Sequence, residues 1–71
     1  MQEKIVKSRD ELAAMIRSQL RFENVTVEVH ADPVYGFRPT VKGSDDDVVI
    51  AAQKAADDIA RKLRNSFKLP D

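Results

Sequence analysis

The chain has 71 residues, twelve basic and twelve acidic side chains, one histidine and no cysteine. A chain of this length allows one domain and buries about 60% of its unfolded surface, so its core is marginal without a further staple. The composition excludes a disulfide framework, a thiolate metal site and the positive field that draws proteins to nucleic acid or anionic membranes, which leaves oligomerisation as the staple.

Positions 1–7 carry no apolar core of a signal peptide, and no run is long enough to span a membrane. A cytoplasmic protein with no membrane partner is expected. This first segment reads as a flexible N-terminal stretch, with Ile5 and Val6 folding back on the core, ahead of a single domain over 8–71. Ser8-Arg9-Asp10-Glu11 has the spacing of a capping box, in which a serine hydroxyl and a glutamate three residues on satisfy each other's backbone N–H groups. Leu12, Met15, Ile16 and Leu20 recur at helical spacing and predict a first helix over 9–21, closed by Phe22 and Asn24.

Val25-Thr26-Val27-Glu28-Val29-His30 alternates with the period of a half-buried strand, valines inward and Thr26, Glu28 and His30 outward. Asp32-Pro33 opens a turn that Gly36 ends. Residues 37–42 alternate again, with Phe37 and Val41 inward and Arg38, Thr40 and Lys42 outward. Pro39 has no N–H to give a ladder, so this strand has an unpaired edge position.

Gly43 breaks to a long helix expected over 44–67. Ser44 is its predicted cap, with Asp47 three residues on, and Asp45, Asp46 and Asp47 complement the positive end of the dipole. Arg61, Lys62, Arg64 and Lys68 crowd the other end, and Pro70 stops the helix. Val48, Ala52, Ala55, Ile59 and Leu63 form its predicted apolar stripe, with Ala56, Ala60 and Phe67 also apolar. At 1.5 Å per residue such a helix spans about 33 Å, more than a domain this small needs across its core.

Lys42-Gly43-Ser44 followed by Ala51-Ala52-Gln53-Lys54-Ala55-Ala56 resembles the end of a double-stranded-RNA-binding domain, over about a third of the chain. That family has helix, strands, helix in the same order. It has three strands where this sequence offers two, and phosphate-contacting lysines where Asp45, Asp46 and Asp47 stand. No RNA-contacting residue is carried over.

These features predict an α+β fold of order α-β-β-α, an antiparallel β-hairpin packed on two helices. Two strands alone leave open edges, so the hairpins of two subunits are expected to join as a four-stranded sheet across a homodimer. Pro39 favours the first strand as the joint. The expected function is a small non-enzymatic homodimeric protein-interaction module. Its partner is itself, or a protein or peptide at a strand edge. The candidate surface is Thr26, Glu28, His30, Tyr35, Arg38, Thr40 and Lys42. The alternative is a nucleic-acid-binding protein using Arg38, Lys42 and the basic helix end Arg61, Lys62, Arg64 and Lys68. No catalytic residue, cofactor or metal site is expected. His30 has no nucleophile near it in sequence, and the three aspartates lack the alternating oxygens of a calcium loop.

Overall fold

Leu12 and Ile16 of the first helix, Phe37 of the hairpin and Ala52, Ala56 and Ala60 of the last helix are almost wholly buried, and the chain is built around them. A computed structural model describes residues 3–70. Met1 and Gln2, part of the segment expected to be flexible, lie outside the described residues, as does Asp71. The elements are β1 (Ile5–Val6), α1 (Arg9–Gln19), β2 (Val25–Asp32), β3 (Gly36–Gly43), α2 (Asp46–Leu63) and β4 (Phe67–Lys68). The predicted α-β-β-α order is therefore present, with a short strand added at each end. Ile5 pairs with Phe67 and Val6 with Lys68 in a parallel ladder, so the two ends of the described chain lie together.

The Ser8 capping box forms, with the Glu11 N–H donating to Ser8 Oγ at 3.1 Å and the Ser8 N–H to Glu11 Oε1 at 3.4 Å. Helix α1 ends at Gln19, two residues before the predicted limit. Leu20 leaves the helical conformation there, with ψ at 138°, and is buried in the core.

The hairpin pairs Val25 with Gly43 at its open end and Asp32 with Gly36 at its tip. Both strands are longer than alternation alone predicts. Asp32 explains part of this: its Oδ1 accepts the N–H groups of Val34 and Tyr35, each at 2.8 Å, and so fixes the three-residue loop. Gly36 then takes φ +91°, a conformation that L side chains rarely adopt. Gly43 is required for a different reason. A Cβ there would lie 3.1 Å from the Asn24 carbonyl oxygen and 3.1 Å from a Val49 methyl group.

Helix α2 corrects three details of the sequence prediction. Its cap is Asp45, not Ser44, and Asp45 Oδ1 accepts the N–H groups of Asp47 and Val48 at 3.1 and 3.3 Å. Ser44 and Asp45 are both good caps in sequence, and the stronger, charged acceptor takes the position. The helix ends at Leu63, where N–H groups of Arg64, Asn65 and Ser66 satisfy the last carbonyls. Its 18 residues span about 27 Å, shorter than predicted. Phe67 consequently lies in β4, half-buried against the core, and not on the helix.

The buried line of α2 is Ala52, Ala56 and Ala60, spaced by four. Val48, Ala55, Ile59 and Leu63, placed on the predicted stripe beside Ala52, are only half-buried at its flank. The helix is thus rolled toward its smallest side chains, which lets its backbone approach the sheet closely. Both helices cover the same face of the hairpin, α1 mainly over β2 and α2 over β3.

Candidate functional site

Successive residues of a strand alternate both the face their side chains take and the edge to which their amide groups point. In β3 the odd residues Phe37, Pro39 and Val41 are buried under the helices. Their amide groups point away from β2, and α2 caps them. Gln53 Oε1 accepts the Val41 N–H at 2.8 Å, while Gln53 Nε2 donates to the Pro39 carbonyl at 2.9 Å. The side-chain amide therefore stands where the peptide of a third strand would stand. Arg64 continues the cap by donating from Nε to the Phe37 carbonyl at 2.8 Å. Pro39, with no N–H to satisfy, sits between these contacts.

The opposite edge of the hairpin is different. Arg17 of α1 donates from Nε to the Val25 carbonyl at 3.0 Å and closes the start of β2. Beyond it, none of the hydrogen bonds among the described residues reaches the outward amide groups of Val27, Val29 and Ala31. One edge of the sheet is closed by side chains, and the other is open over three residues.

Six of the seven predicted surface residues share the outer face of the sheet. Thr26 stands opposite Lys42, Glu28 opposite Thr40 and His30 opposite Arg38. Glu28 is central among them, with Oε2 3.0 Å from Lys42 Nζ and 3.8 Å from His30 Nε2. Arg38 Nη1 lies 3.9 Å from Asp32 Oδ2. Tyr35, the seventh, is set apart in the hairpin loop, where the Arg64 guanidinium carbon lies 5.1 Å from its ring centre.

Two shallow cavities of about 420 Å³ each lie along the α2 side of the hairpin and share Arg38 and Asp57. The second brings Tyr35 and Arg38 together with Arg61 and Arg64. The residues of the nucleic-acid alternative are thus divided, because Lys42 does not line that cavity. It is held by Glu28 on the outer face. Gln53, the edge cap, is a position that alternation and motif spacing do not reveal. Its one sequence signal is a polar residue directly beside the alanine line.

The backbone N–H of Tyr35 holds the Asp32 carboxyl below the usual carboxylate range; the Val34 N–H and the charges of Arg38 and Arg64 add to this against partial burial. Such a group stabilises the fold above its ordinary pKa and loses that contribution as pH falls through the lowered folded value. Asp32→Asn keeps an acceptor for the loop but has no charge to lose. Thermal melts on a descending pH series are expected to fall less steeply for this variant than for the parent chain. Equal slopes would contradict the role given to Asp32.

No helix among the described residues is long and apolar enough to cross a membrane. Comparison with protein-family models, with curated proteins and with solved structures finds no match to this chain.

Proposed function

We propose that the chain is a non-enzymatic protein-interaction module that assembles as a homodimer through the open edge of β2. The asymmetry of the two edges carries this reading. Gln53 and Arg64 blunt β3, whereas Val27, Val29 and Ala31 offer unpaired amide groups to a further strand. Unpaired edges are templates for strand pairing, and a two-stranded sheet gains most from extension.

Two copies of β2 related by a two-fold axis run antiparallel, and their outward odd residues must face one another. Charge selects among the registers this permits. An axis at Glu28 sets two glutamates opposite each other. An axis at His30 sets two histidines opposite and brings Glu28 against Asp32. An axis at Val29 places Glu28 of each copy opposite His30 of the other, and Val27 opposite Ala31. That register alone pairs Glu28 with a complementary partner at both ends of the joint, so it is the one proposed.

A double variant, Glu28→Cys with His30→Cys, tests the register on a chain that has no other cysteine. Opposed residues outside the hydrogen-bonded pairs have Cα atoms about 4.5 Å apart, within disulfide range. Oxidation is expected to give a covalent dimer on a non-reducing gel at low protein concentration. A dimer in solution that fails to cross-link would reject the register. A monomer would reject the assembly.

A further inference from the structure

The cavity beside α2 has a composition that strand pairing does not use. Tyr35, Arg38, Arg61, Arg64, Asn65 and Asp57 line it. Three guanidinium groups and one carboxylate line it, and Asp58 and Asp32 pair with Arg61 and Arg38 from its rim. The α2 C-terminus contributes only about half a negative charge against them, and N–H groups of Arg64, Asn65 and Ser66 already cover its last carbonyls. What the cavity offers an anion is three converging guanidinium forks, two of which are held only by carboxylates at its rim.

Two parts of the site are fixed in advance. Arg64 is held by its bond to the Phe37 carbonyl and lies against two aromatic rings, 5.1 Å from Tyr35 and 5.6 Å from Phe37. The main chain of Tyr35 is held by the Asp32 carboxylate, which takes its backbone N–H at 2.8 Å, and its ring lies against the Arg64 guanidinium. The other two arginines are exposed and adaptable. Arg61 contacts Asp58 at 2.7 Å, and Arg38 contacts Asp32 at 3.9 Å. The Arg61–Asp58 pair is exposed and worth little, and the Arg38–Asp32 contact is long, so either arginine exchanges its carboxylate for a phosphate at small cost.

Size decides how much more than an anion the site takes. A volume of about 420 Å³ falls in the range of small-molecule sites, roughly 300–1,000 Å³, and leaves room beyond a lone phosphate. Tyr35 on the wall is more than half exposed and offers an aromatic surface. We infer that this cavity binds a nucleotide, its phosphate on Arg38, Arg61 and Arg64 and its base against Tyr35. The same chemistry is presented by a free nucleotide and by a nucleotide within a single strand.

Tyr35 is the only tyrosine, so its ring-proton resonances report on the site alone. Titrations of the full chain with adenosine monophosphate, adenosine, inorganic phosphate and a short single-stranded RNA separate the contributions. Adenosine monophosphate is expected to shift the Tyr35 resonances saturably, more than adenosine or phosphate does. Arg38→Gln combined with Arg61→Gln changes only exposed side chains, and is expected to weaken binding at least about tenfold with the fold intact. Tighter binding of the RNA than of the mononucleotide would support the same site with a strand as the source. Equal effects of phosphate and the nucleotide would overturn the place given to Tyr35. No saturable shift with any probe at millimolar concentration, or unchanged affinity in the double variant, would overturn the site.

Discussion

Ala56→Arg is expected to leave the chain unfolded at room temperature, while Asp57→Arg, one residue on, is expected to leave it folded. Ala56 has no exposed surface and sits at the centre of the alanine line through which α2 approaches the sheet. An arginine there must either push the helix off the hairpin or bury an unpaired charge. Each mechanism costs several kcal/mol. The whole fold of a 71-residue chain is worth roughly 4–10 kcal/mol at 0.05–0.15 kcal/mol per residue, so one such loss consumes most of it. Asp57 is half-buried at the helix flank and accepts one hydrogen bond, from Gln53 Nε2 at 3.1 Å. Its replacement loses that bond and adds a like charge beside Arg38, Arg61 and Arg64 at the surface, together about 1–2 kcal/mol. Circular dichroism melts distinguish the two outcomes directly. Equal stability of the variants would remove the packing of α2 described here.

The second large effect is expected at Gln53. Gln53→Ala leaves the Val41 N–H and the Pro39 carbonyl without their partner, at a cost of about 1–3 kcal/mol, and gives the sheet a second open edge. Gln53→Glu is the sharper test, because an ionised carboxylate accepts from Val41 but has no proton to donate to Pro39. It also stands beside Asp57. This variant is expected to be the less stable of the two at neutral pH. Acidification into the carboxylate range restores a donor and relieves the repulsion, so its stability relative to Gln53→Ala is expected to rise as pH falls. Urea denaturation at both pH values measures the difference. A Gln53→Glu chain as stable as the parent at neutral pH would show that the amide does not cap the edge.

Much of the fold was legible because it has a period. The two-residue alternation from Val25 to His30 and from Phe37 to Lys42 fixes which side chains face the helices, and burial follows it. The capping box at Ser8 marked the start of α1 in the same way. What escaped has no period. Ile5–Val6 and Phe67–Lys68 are two-residue strands, too short to carry a repeat, and they exist because the two ends of the described chain meet. The roll of α2 was hidden for another reason. Its apolar arc includes both the Ile59–Leu63 side and the Ala56–Ala60 side, and only the approach of the sheet selects the smaller one.

The candidate surface shows the same division. The outer-face residues followed from alternation, but the closure of β3 depends on Gln53 reaching across twelve residues to Val41, and on Arg64 reaching back to Phe37. Contacts at that separation leave no local pattern. Tyr35 belongs to a loop, where side-chain direction is set by the Asp32 turn and not by strand parity.

The open β2 edge is the centre of the account, and the mass of the chain in solution tests it most directly. Light scattering on a size-exclusion column, across a dilution series, is expected to give twice the mass of one chain. Ala31→Pro removes one outward N–H from an exposed edge position that tolerates proline, and is expected to shift the equilibrium toward the single chain. A parent chain that remains at the mass of one subunit at the highest concentration would contradict the joint through β2.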